Sequence, residues 1–250
     1  MSRSLHKPDI AARFSAAARH YADHARLQQR AADRLLDILL PEGTVLDLGC
    51  GSGREAVLLA GRPQVQQVLA LDLAEGMLET VPASPRITCL AADAEHLPLA
   101  EAAVDGIFSN FALQWCESPV RVCAELRRVL KPGGRLALAV PGPQSLAHLR
   151  LPGLLHINQF APGETWVQAL REAGFERIAW HSQMVHDYFP DARGLLHALK
   201  AIGANTRDQR GGSGLKGRAW LAEISARLEQ QRGPYGLPLS YEVIYIVVQG

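Results

Sequence analysis

The feature that most constrains this chain is a glycine cluster set directly behind a strand. Thr44-Val45-Leu46-Asp47-Leu48 is a short apolar run of strand length, Gly49-Cys50-Gly51-Ser52-Gly53 follows it, and the stretch from Arg54 to Ala60 has helical composition. A strand that opens through bare glycines into a helix lets a ligand approach backbone N–H groups that side chains would otherwise cover. The dinucleotide fingerprint G-x-G-x-x-G requires a third glycine where this chain carries Arg54, which disfavours NAD.

The alternation continues along the chain. Strands are predicted over 65–71, 86–90, 104–109 and 135–140, with helices over 74–81 and 119–130 between them and Lys131-Pro132-Gly133-Gly134 as the turn into the fifth strand. Upstream, Ile10, Phe14, Ala17 and Tyr21, then Leu27, Ala31, Leu35, Ile38 and Leu39, recur at helical spacing and predict two amphipathic helices that Pro41 ends. Beyond Val140 a Pro141-Gly142-Pro143 loop leads to a helix over 164–173 and a strand over 177–185. Residues 191–231 read as helix interrupted by Gly211-Gly212-Ser213-Gly214, and the β-branched run 241–248 predicts a last strand. Strands alternating with helices imply parallel β-α-β units, so the expected fold is α/β: a Rossmann-like, doubly wound, mostly parallel seven-stranded sheet with N-terminal helices and a helical cap inserted before the last strand. The expected divisions are 1–40 for the N-terminal helices, 41–190 with 241–250 for the sheet domain, and 191–240 for the cap.

Composition sets limits on this picture. At 250 residues, 48% hydrophobic and 20% charged, the chain is long enough for one large domain and too apolar for disorder. It has no unbroken apolar stretch of about 18 residues, which excludes a helical membrane span. Residues Met1 to Arg19, broken by Arg3, Lys7, Asp9 and Arg13, lack the apolar core of a secretory signal. Cys50, Cys89, Cys116 and Cys123 form no C-x-x-C pair, and the seven histidines besides His20 and His24 show no metal-ligand spacing, so neither a metal nor a disulfide framework is expected and a reducing cytoplasm is. Charge is unevenly placed. Residues 1–40 and 191–218 together hold thirteen of the 26 basic but only six of the 25 acidic side chains, leaving thirteen basic against nineteen acidic elsewhere. Such runs are read equally well as solvated helix faces or as docking surfaces for an acidic partner.

Polar residues gather where the predicted strands end. Asp72 closes the second strand, where doubly wound geometry sets a carboxylate beside a bound ribose; Asp93-Ala94 follows the third, and Ser109-Asn110 closes the fourth. Each carboxylate taken alone could cap a helix. With Asp47 near the end of the first strand, four such groups at the carboxyl ends of four successive strands lie on one sheet edge, the edge at which ligands bind.

The set Val45 to Gly53 with Asp72, Asp93 and Lys131-Pro132-Gly133-Gly134 resembles the class I S-adenosylmethionine-dependent methyltransferases over about residues 40–140. The resemblance implies that Asp47, Gly49, Cys50 and Gly51 surround the methionine part of the cofactor, Asp72 and Leu73 the ribose, Met77 and Asp93-Ala94 the adenine, and Asn110 the sulfonium side, with Tyr21 and Gln28 closing over it. Four further segments, His20 to Gln28, Ser109 to Cys116, Leu199 to Asn205 and Leu237 to Tyr241, extend the likeness over nearly the whole chain and resemble the malonyl-acyl-carrier-protein O-methyltransferases of early biotin synthesis. One departure stands between Ser145-Leu146 and Phe160, where this chain is shorter and carries His148 in place of an acid.

That second resemblance implies methyl transfer from S-adenosylmethionine to the free carboxylate of malonyl thioester on acyl carrier protein, with S-adenosylhomocysteine as product and no metal. The ester would prime pimeloyl synthesis for biotin. A malonyl carboxylate is ionised at neutral pH and attacks a sulfonium methyl without a general base, so alignment, exclusion of water and a cation for the anion are what the protein must supply. Lys200 is the expected cation, with a solvated helix lysine as its plainer reading; Tyr21 and Trp115 complete the expected catalytic set, and Arg193, Lys200, Arg207, Arg210 and Lys216 the surface for substrate and carrier. Malonyl-coenzyme A is an alternative substrate, and neither nucleic acid nor membrane is an expected partner. Competing readings are a methyltransferase for another small carboxylic acid or quinone precursor, and a cofactor-binding adaptor without turnover.

Overall fold

A computed structural model describes residues 6–151, 157–201 and 215–249. It opens with two helices, α1 (Lys7–His24) and α2 (Arg26–Ile38), joined at the buried Ala25. Then come β1 (Gly43–Leu48), α3 (Arg54–Ala60), β2 (Val65–Asp72), α4 (Glu75–Leu78), β3 (Ile87–Ala91) and β4 (Val104–Asn110). After a 3₁₀ turn at Leu113–Trp115 follow α5 (Pro119–Val129), β5 (Leu130–Pro141), α6 (Gly163–Glu172), β6 (Arg177–Phe189), α7 (Ala192–Ala201), α8 (Leu215–Glu229) and β7 (Leu237–Gln249).

The strands form one seven-stranded sheet in the order β3-β2-β1-β4-β5-β7-β6. The pairs from β3 to β5 are parallel, whereas β7 lies antiparallel between β5 and β6. Chain order turns outward in both directions from β1 and β4, so the crevice at their carboxyl ends is the topological switch point at which open α/β sheets bind ligands.

Two-residue periodicity divides the core into two layers. Val45, Phe108, Val243 and Tyr245 face the layer that holds α2, α3, α7 and α8, while Leu46, Leu48, Ile107, Ile244 and Ile246 face α5 and α6. From α7 and α8, Leu195, Leu199, Ile224 and Leu228 are all buried in the first of these layers, beside Leu27, Leu35 and Leu39 of α2 and its C-terminal end. A third, small cluster of Ala18, Ala74 and Met77 seats α1 on α4.

Several element bounds differ from the sequence reading, each for a local reason. α4 keeps four of the eight residues predicted, because Pro82 follows and Thr80 turns its hydroxyl back to the Met77 carbonyl at 2.7 Å. β6 and β7 run longer than predicted because they pair with each other along thirteen residues, from Arg177↔Gln249 to Phe189↔Leu237. Lys131 to Gly134, read as a turn, lies within β5, where the register against β4 shifts between Val104 and Gly106.

Candidate active site

The glycine loop combines one close approach with one open stretch of backbone. Gly49, at φ +76°, could not carry a Cβ, which would stand 2.1 Å from the Ala112 Cβ. Gly51, at φ +53°, has nothing within 4 Å of its Cβ position, so its backbone borders open space. The Gly49 and Cys50 N–H groups both donate to the Leu71 carbonyl, at 2.7 and 3.0 Å, and Gly51 N–H donates to Asp72 Oδ2 at 2.9 Å. Asp72 Oδ1 accepts from Ala74 N–H at 2.8 Å, so this carboxylate ties the end of β2 to the loop while keeping lone pairs for a ligand. Burial pushes its pKa up, against the pull of those backbone donors.

Asp47 lies beneath the loop, 2% exposed, with Oδ2 lacking any partner. Burial first, then the neighbouring Glu55 and Asp72, hold its carboxyl well above the usual range, although it accepts the Ala56 N–H at the start of α3. Asn110 donates its amide to the Gln28 carbonyl at 3.1 Å and leaves Oδ1 unpartnered; the Gln28 side-chain oxygen is unpartnered too. Asp93 is held by Lys7 at 2.6 Å and by the Glu95 N–H at 3.0 Å. Its burial opposes ionisation, but the Glu95 N–H and Lys7 outweigh it and keep the carboxyl below its ordinary range.

One cavity at the switch point brings most of the expected cofactor set together. Its wall includes Gly49, Cys50, Gly51, Asp72, Leu73 and Met77 from one half of the sheet edge, and Asp93, Ala94, Asn110 and Trp115 from the rest. Tyr21 and Gln28 of the N-terminal helices line it as well, while Asp47 stays below the floor. Cys50 is no nucleophile here, because burial pushes its thiol pKa far up.

Sequence reading missed Lys7, Phe14, Glu55 and Phe111 in this wall. It also missed a second, smaller cavity, which shares Phe14, Tyr21, Gln28, Phe111 and Trp115 with the first and is completed by Gln114, Pro141, Phe160 and Tyr241. Gln114 and Tyr241 sat inside motifs already singled out, whereas Lys7 gave no local signal. Phe14 meets Trp115 edge-on at 5.5 Å, and Tyr241 meets Phe111 edge-on at 5.4 Å.

The expected substrate residues lie elsewhere. Arg193 and Lys200 are exposed on α7 and line neither cavity. Arg207 and Arg210 lie outside the described residues, as does the side chain of Lys216. His148 lines neither cavity either: its Nε2 meets the Pro238 carbonyl at 2.8 Å, and burial lowers its pKa. No group of three or more potential metal ligands occurs among the described residues.

The donor set indicates what the larger cavity can hold. Its two lining cations are engaged, Lys7 with Asp93 and Glu95, and Arg54 with Asp33 and Glu55. On its wall Asn110 Oδ1 and Gln28 Oε1 remain as acceptors without donors, and beneath its floor so does Asp47 Oδ2. A ligand that brings N–H or O–H donors to the wall and positive charge above Asp47 suits this set, and the ammonium, sulfonium and ribose hydroxyls of S-adenosylmethionine fit that requirement.

Residues 46–138 match the methyltransferase domain family. The chain is 37% identical over 260 residues to the biotin biosynthesis bifunctional protein BioHC of Cellvibrio japonicus, covering 99% of this chain and 51% of that protein. It thus spans about half the length of that bifunctional relative. It is 36% identical over 250 residues to the malonyl-[acyl-carrier protein] O-methyltransferase of Methylococcus capsulatus, covering 94% of this chain and 91% of that one. In fold it is similar to an S-adenosylmethionine dependent methyltransferase from Mesorhizobium loti, with a TM-score of 0.54 and 20% identity over 87% of this chain and 96% of that one.

Proposed function

Because the chain belongs to the malonyl-[acyl-carrier protein] O-methyltransferase family, we propose that it methylates the free carboxylate of malonyl thioester carried on acyl carrier protein. The observation that carries this reading is the near full-length match to the Methylococcus protein, 94% of this chain, which reaches α1, α2, α7 and α8 outside the methyltransferase module at 46–138. The product is a neutral malonyl methyl ester, a primer for the chain that becomes the pimeloyl part of biotin.

S-adenosylmethionine supplies the electrophilic methyl when bound and leaves as S-adenosylhomocysteine. Asp72 accepts from the ribose hydroxyls, Asp93 and Ala94 face the adenine, and Asp47, Asn110 and Gln28 receive the cationic end. Tyr21 and Trp115 exclude water from the reacting atoms. No residue has to move a proton, since the acceptor is already ionised; no metal is assigned. The N-terminal helices, residues 1–40, cover the cofactor; 41–190 and 241–250 form the catalytic sheet; and 191–240 receive the carrier, with Arg193 and Lys200 of α7 offered to its acidic surface alongside Arg207, Arg210 and Lys216. Malonyl-coenzyme A is accepted as the small counterpart. No described helix is long and apolar enough to cross a membrane, and all four cysteines are free thiols, which agrees with a cytoplasmic location.

The test is complementation. A biotin auxotroph that lacks malonyl-carrier methylation regains growth without biotin when it expresses this chain. Persistent auxotrophy with soluble, cofactor-binding protein present overturns the reading.

A further inference from the structure

We propose that the smaller cavity seats the acceptor carboxylate and that Tyr241 is its specificity residue, holding the anion through a phenol O–H with no cation. The inference deepens the proposed function and rests on it.

The nine residues lining this cavity include no lysine, arginine, aspartate or glutamate. Its polar side-chain groups are two phenols, two amides and the Trp115 indole N–H. Tyr241 is 3% exposed, and burial, then the nearby Tyr21, push its pKa far up; burial does the same to Tyr21. Both phenols therefore remain O–H donors at every working pH. The Tyr241 ring is fixed against Phe111 at 5.4 Å and Phe160 at 6.3 Å, on a strand whose register pairs it with Val185. Gln114 is anchored by donating to the Phe111 carbonyl at 2.7 Å. Gln28, 6% exposed, borders both cavities, so its amide sits between the cofactor and the seat.

The chemistry favours such a neutral seat. In the transfer a carboxylate oxygen lone pair forms the O–C bond while the C–S pair returns to sulfur; one negative and one positive charge disappear together and no proton moves. The transition state is less charged than the reactants. A lysine held against the carboxylate would stabilise the ground state more than the transition state and slow the step, whereas neutral donors and aromatic walls fix the oxygen without that penalty. Five residues line both cavities, which sets the proposed seat beside the cofactor cavity.

Two variants test this: Tyr241→Phe and Gln114→Glu, each assayed with malonyl-carrier and malonyl-coenzyme A, with S-adenosylmethionine affinity measured by calorimetry. Tyr241→Phe is expected to lower kcat/KM on both substrates by about 10- to 100-fold, the range for a lost hydrogen bond to a charged group, with cofactor affinity unchanged. Gln114→Glu, placing an anion beside the seat on a half-buried turn, is expected to cost at least as much while cofactor affinity holds or tightens, a pattern that a damaged fold does not give. Wild-type turnover by Tyr241→Phe, or joint loss of cofactor affinity and activity in Tyr241→Phe and Gln114→Glu, overturns the inference. A wild-type protein that binds cofactor but methylates no malonyl thioester overturns the proposed function itself, and this inference with it.

Discussion

Asp47 and Asp72 sit one strand apart and differ in what satisfies them. Asp72 accepts two backbone N–H groups at 2.8 and 2.9 Å, whereas Asp47 keeps one oxygen without a partner. Asp72→Ala removes a charge-assisted acceptor and the tie to Gly51, and should weaken S-adenosylmethionine binding by at least about 1.5–3 kcal/mol. Unchanged affinity in a folded variant, measured by calorimetry, removes Asp72 from the site. Asp47 predicts a linkage. Burial, with Glu55 and Asp72, raises its pKa in the ligand-free protein, and a cationic ligand lowers it again, so binding releases a proton wherever the pH lies between the two values. Affinity therefore rises with pH across that window. The same raised pKa means that the fold binds more protons than the unfolded chain; this contribution to ligand-free stability is fully present below the ordinary carboxylate pKa and is lost as pH rises through the raised one. Calorimetry in buffers of different ionisation enthalpy reads the proton directly, and Asp47→Asn should abolish it. No proton release from the wild type contradicts the placing of positive charge over Asp47.

At the scale of elements, α1 is held across the cavity by a contact far away in sequence. Lys7 pairs with Asp93 and with Glu95, whose side chain is fully buried, accepts the Ser118 N–H at 2.5 Å and lies 3.5 Å from Arg121. Lys7→Met should release this end of α1, raising hydrogen exchange over residues 10–21 while the amides of β1 and β4 stay protected. Uniform protection in the variant would assign the hold on α1 to the packing of Ala18 against Ala74 and Met77 alone. Nothing local announces such a pair: Lys7 and Asp93 are 86 residues apart. The glycine loop and Asp72 were legible because strand, turn and helix succeed one another within a few residues, each with its own periodicity. β6 was legible only in part. Its exposed residues, among them His181, Gln183 and His186, blur the two-residue alternation, and its far end is defined by pairing with β7.

The whole molecule combines a sheet edge readable from sequence with an acceptor side that is not, because Phe14, Gln114, Phe160 and Tyr241 come from four distant parts of the chain and meet only in the fold. Charge follows the same division. The basic stretch 191–218 belongs to the insertion between β6 and β7, so docking of an acidic carrier there should be sensitive to salt. Exposed charge pairs are screened over about 8–10 Å at 0.1–0.15 M salt, so raising ionic strength should raise KM for malonyl-carrier more than for malonyl-coenzyme A. Equal shifts would return Arg193 and Lys200 to solvated side chains. The central claim, carboxyl methylation of a carrier-bound malonyl group, is tested most directly by incubating the purified chain with methyl-labelled S-adenosylmethionine and malonyl-carrier and following the label by mass spectrometry. The account predicts label on the malonyl group as a base-labile methyl ester; cofactor-binding protein that leaves malonyl-carrier unlabelled would contradict it.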